Sequence, residues 1–141
     1  MSEIVNCARL VDFVDHTDDP FLRDATRQLL ADEIIHAKFG FLYLEERRPW
    51  LDANPDARAS IDVYLRHAFA SLERILSGNG AAKRVLSADE RALGLPDPVR
   101  LPDTFYPTVT AAIVPGLDRI GLDATRAWKE RRLEGAQPEL A

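Results

Sequence analysis

Three histidines occur in this chain of 141 residues, and one of them, His36, stands three positions after a glutamate, Glu33. Counting by threes and fours through this region gives Thr26, Leu29, Leu30, Glu33, His36, Ala37, Gly40, Phe41 and Leu44. If the segment is helical, the acid and the imidazole fall within its apolar stripe and are expected to be buried. An unpaired carboxylate there would cost on the order of several kcal/mol. A cation held by both side chains would offset that cost, since Glu and His at i and i+3 point the same way. A buried ion pair or hydrogen-bonded pair within one helix would do so too.

A third candidate comes from the turn that precedes this helix. His16-Thr17-Asp18-Asp19-Pro20 breaks the periodicity, and Glu3 and Glu33 each lie fifteen residues from Asp18. Two antiparallel helices with the same rise per residue bring those acids to one level. Glu3 shares its stripe with Cys7, Leu10 and Val14, so it is expected to face the second helix, although a glutamate in a first turn also simply favours the helix dipole.

The elements that must position these groups are all helices. Apolar residues recur at helical spacing, and no stretch alternates for long with period two. The first helix is expected from Ser2 to Asp15, with Ile4, Cys7, Leu10, Val11 and Val14 on one stripe. Asp19 can cap the next and Pro20 fill its first position. That second helix should end at Arg47 or Arg48, because Pro49 pushes its predecessor out of helical geometry. Asn54-Pro55 opens a third, stopped by Ser77-Gly78-Asn79-Gly80. Ala81 to Pro102 reads as irregular, apart from a short helix with Ser87 and Glu90 spaced as a capping box. A helix interrupted or kinked at Pro107 and Pro115 is expected over Asp103–Ile120, then a last one capped by Asp123 and ending near Gly135. Residues 1–135 thus form one helical domain, a hairpin over 1–48 and additional helices over 54–135, with a disordered tail at 136–141.

Asp32-Glu33-Ile34-Ile35-His36-Ala37, followed by Phe39-Gly40 and preceded by Asp19-Pro20 and a Glu-bearing helix, resembles the ferritin-like superfamily of di-iron carboxylate proteins. The resemblance runs from about Glu3 to Leu44, a third of the chain, and is nearest to the bacterial "ferritin-like domain" members. It implies an all-α, four-helix-bundle architecture, with Glu3, Glu33 and His36 as metal ligands. Asp32 would be the carboxylate that orients a ligating histidine of a neighbouring helix. The implied metal is iron, as a di-iron centre, with manganese the other metal suited to such ligands. A complete site of this kind takes two Glu helices and two Glu-x-x-His helices. Here the residues three before His16 and His67 are Phe13 and Tyr64, so only half the set is present. A homodimer, or a partner chain supplying the other half of the bundle, would complete it.

Composition narrows the remaining classes. With 18 basic and 23 acidic residues the net charge is -5, which disfavours nucleic acid or an anionic membrane as partner. No run of about eighteen uncharged residues could span a bilayer, and Met1-Ser2-Glu3 lacks the basic start of a signal peptide. Cys7 is the only cysteine, so an intrachain disulfide is excluded and a cytoplasmic setting is expected. The functional expectation is a di-metal protein that activates dioxygen or peroxide, with no catalytic residue assignable beyond the ligands. The alternative is a metal-free helical assembly subunit carrying a vestigial site. Zinc hydrolysis fits less well, because a catalytic zinc usually takes three protein ligands and a nearby base. His16, His67, Cys7 and the basic run Lys129, Arg131 and Arg132 read as ordinary structural or surface residues.

Overall fold

The computed structural model describes residues 1–77 and 85–132, and among them every regular element is a helix. Helix α1 spans Ser2–His16 and ends where Thr17 turns extended. Asp19 then accepts a hydrogen bond from the Leu22 N–H (3.0 Å), and Pro20 opens α2, as the cap signals require. Helix α2 runs Pro20–Ala53, five residues beyond Arg48. Pro49 does not end it: a proline four residues from the C-terminus forfeits one ladder hydrogen bond, and continuing past it carries Leu51 into the core. Asn54 closes α2, its side-chain amide donating to Trp50 O (2.7 Å), and Pro55 starts α3, Pro55–Leu76.

Ser87 and Glu90 form the expected capping box on the short α4, Ala88–Ala92. Helix α5, Leu101–Thr108, begins two residues earlier than the periodicity suggests, with Pro102 in its first turn. Pro107 and Pro115 do not break the chain into separate helices. The backbone between them widens into a π-helical stretch, Val109–Ile113, and then resumes as α6, Val114–Arg119. Asp123 caps α7, Ala124–Glu130, which stops five residues short of Gly135. The Gly78–Gly80 stop signal and the tail lie outside the described residues.

The core is built mainly from the second half of the chain. Phe69 of α3, Phe105 of α5, Val109 and Ile113 are fully shielded, and Val5 of α1 joins them. Trp128 of α7 packs edge-on against Phe69, ring centres 5.4 Å apart. Helix α1 therefore packs on two sides, against α2 and against α5, while Val11 of its predicted stripe is exposed. Helix α2 is the exception to the usual helix of a small domain. It is 34 residues long, yet only Leu51 is buried, with Phe41 and Leu44 half-buried against the core.

The hairpin is locked at its turn from outside. Asp18 N–H donates to Ala92 O (2.9 Å), and Thr17, fully buried, rests against Gly94. Gly94 has φ +78°, and a Cβ on it would come within 2.8 Å of the Thr17 Cβ. The connection after α4 thus packs directly on the turn between α1 and α2.

Candidate metal centre

The hairpin brings Glu3, Glu33 and His36 together. One ligand atom from each lies within 4.8 Å of the others, a separation that one cation can bridge. Equal rise on either side of the turn is what does this, as the fifteen-residue spacing predicts. Glu33 Oε2 stands 3.6 Å from His36 Nδ1, too long for a hydrogen bond. That oxygen has no accessible surface and no hydrogen-bond partner. Ser2 Oγ donates to Glu3 Oε1 at 3.4 Å.

Two carboxylates at this distance cannot both ionise freely. The Glu33 carboxyl is raised above the usual carboxylate range, first by its hydrogen bond with Glu3, then by shielding from water and by the Glu3 charge; His36 opposes this. Glu33 is therefore easier to protonate than an ordinary glutamate. Cys7, one turn along α1 from Glu3, has its thiol pushed up by burial and by the charges of Glu33 and Glu3. A protonated thiol is a poor nucleophile, so Cys7 serves as a small packing group.

The expectation that both Glu33 and His36 are buried needs correction. Glu33 is mostly shielded, but 68% of the His36 side chain is accessible. The reason lies in the packing of α2: α1 covers the Glu33 side, and no described element covers the flank that carries His36, one turn on and some sixty degrees around the helix. Asp32 is exposed as well and meets no histidine among the described residues. Gly40, four residues beyond His36, has open space where a side chain would stand.

Several other titratable groups have structural work. His16 ends α1, its Nδ1 2.7 Å from Asp12 O and its Nε2 3.1 Å from Arg100 Nη1. His67 sits in α3, half-buried, and does not join the cluster. Arg131 and Arg132 are not a free basic face. Both bind the carboxylate of Glu73, which is 6% exposed and also accepts a hydrogen bond from Tyr106 Oη (2.9 Å). The signal for Glu73 lay in its position, four and eight residues after the buried Phe69 and Leu65 on one helix face. Nothing local in the sequence names its partners, which lie 58 and 59 residues away.

No family model, no curated protein and no solved structure matches the chain. Function must therefore be argued from the site itself.

Proposed function

We propose that this protein binds a redox-active transition metal, iron in the first instance, through Glu3, Glu33 and His36. It acts as a ferritin-like di-metal carboxylate protein that activates dioxygen or peroxide. The observation that carries the reading is the convergence of two carboxylates and one imidazole from two helices within 4.8 Å, one carboxylate oxygen being shielded and unpartnered. Oxygen and imidazole donors suit iron and manganese, and three protein ligands leave coordination positions open. When bound, such metals supply the oxidation chemistry. The chain's own residues hold the geometry: Glu3 and Glu33 offer carboxylate oxygens from two helices, and His36 offers a ring nitrogen from the open flank.

The hairpin carries half of a di-metal ligand set, so a second chain must contribute an equivalent half. No helix among the described residues is long and apolar enough to cross a membrane, and a lone cysteine suits the reducing cytoplasm. A second reading draws on a different observation. Large apolar side chains stay exposed along α2, as they would in a metal-free assembly subunit. Metal analysis of protein purified without chelator separates the two. The di-metal reading expects about one ion per chain, lost in Glu33→Ala and in His36→Ala. Metal content that is negligible, or unmoved by either substitution, would defeat it.

A further inference from the structure

We propose that a second copy of this chain packs antiparallel along the His36 flank of α2, with the two-fold axis level with His36. The two Glu3–Glu33–His36 clusters then meet as one centre. The merging of the clusters rests on the metal reading above; the interface itself does not.

The flank has the repeat that helix pairing needs. Leu29, His36, Tyr43 and Trp50 follow one another at seven-residue steps, and Asp32 and Phe39 stand between them at three and four. A period of 3.5 keeps one helix edge facing a partner in a left-handed supercoil, whereas a merely amphipathic surface helix drifts away from it. Leu29, Phe39, Tyr43 and Trp50 are each about half exposed or more. Large apolar side chains exposed along one helix edge, here on both sides of the polar Asp32 and His36 and with Glu46 between Tyr43 and Trp50, mark an interaction surface.

Three features favour a copy of the same chain over another partner. First, the seven-residue steps of the row map onto one another when reversed about His36. Leu29 comes opposite Tyr43 of the second copy, and Trp50 opposite its Leu22, as an isologous contact requires. Second, the ligand set is half complete, and doubling Glu3, Glu33 and His36 gives four carboxylates and two imidazoles, the set for two metals. Third, Gly40 leaves its backbone open at the level of the centre, opposite Asp32 of the second copy, so two helices can approach closely where the metals must sit. The two-fold pairing gives the exposed His36 and Asp32 a buried setting that the single chain lacks.

Light scattering on the full chain, at about 100 µM protomer, with manganese content measured on the same fractions, tests the arrangement. The wild type is expected to be a dimer with about two ions. Tyr43→Glu and Leu29→Lys, both at exposed positions, are expected to give helical monomers with metal affinity at least about tenfold weaker. His36→Ala is expected to stay dimeric while losing metal. A monomeric wild type overturns the interface whatever its metal content, as does a dimer that both charge substitutions leave intact. A wild-type dimer that the charge substitutions dissociate but that takes up no metal supports the interface and defeats only the metal reading.

Discussion

Glu33 Oε2 and His36 Nδ1 stand 3.6 Å apart on one helix turn, yet 20% of the Glu33 side chain and 68% of the His36 side chain reach solvent. The site is therefore asymmetric: α1 shields the acid, and the imidazole lies on the edge of the hairpin. A cation drawn into this notch would meet the two carboxylates on its protein side and the ring on its open side.

On the proposed reading, the carboxyl pair would make metal binding depend on pH. Because Glu33 is raised above its ordinary value, chiefly through Glu3, a cation binding there would compete with protons. Manganese affinity is expected to rise from mildly acidic to neutral pH, with proton release detectable by calorimetry in buffers of different ionisation enthalpy. Uptake that ignores pH would place the ion elsewhere.

The same pair strains the metal-free fold. A carboxyl whose folded pKa lies above its unfolded value favours the native state below the unfolded pKa, and that contribution is lost as pH rises through the folded value. Glu33→Gln is expected to raise the Tm of metal-free protein at neutral pH and to flatten its pH dependence, while abolishing the Tm gain from added manganese. Thermal scans with and without metal check both halves.

Glu73 behaves in the opposite sense. Burial alone would raise its pKa, but hydrogen bonds from Arg131, Arg132 and Tyr106 outweigh this and bring it down to about 2. With the folded value below the unfolded one, its contribution is present above about pH 4.5 and is lost as pH falls towards 2. Glu73→Gln is expected to cost about 2–4 kcal/mol at neutral pH, because two guanidinium groups lose their shared carboxylate. Urea melts at neutral and acidic pH should converge for wild type and variant as the acid limit is approached.

Phe41 fills the space above Gly116. A Cβ on Gly116 would lie 2.6 Å from the Phe41 ring, so the missing side chain is what seats α2 against α6. Gly116→Val is expected to destabilise by about 1–3 kcal/mol, and Phe41→Ala should recover part of that loss in the double variant. Additive losses in a denaturation cycle would show that the two positions do not compete for space.

Gly94→Ala tests the brace on the hairpin. The positive φ costs an L-residue about 1 kcal/mol, and the added methyl meets buried Thr17. Stability is expected to fall by about 1–3 kcal/mol, and metal affinity with it, because Thr17 sits in the turn that sets the register of Glu3 against Glu33. An unchanged affinity alongside lowered stability would mean the register is fixed by α1–α2 packing alone.

What the sequence determined by itself is local or arithmetical. The caps at Asp19, Ser87 and Asp123, the proline starts and the α1–α2 turn depend on neighbours within a few residues. The level of Glu3 against Glu33 follows from equal rise on two sides of a turn. Pro49 misled as a stop because its local penalty is small beside the burial of Leu51, a tertiary gain. Tertiary structure alone decided which helix faces are covered. The apolar stripe of α2 was legible, but that the core would be assembled around α3 and α5–α7, leaving His36 on an open flank, depends on packing between residues far apart in the chain. For the same reason Glu73 found its arginines only in three dimensions: long-range ion pairs leave no periodicity to read, whereas a helix turn does.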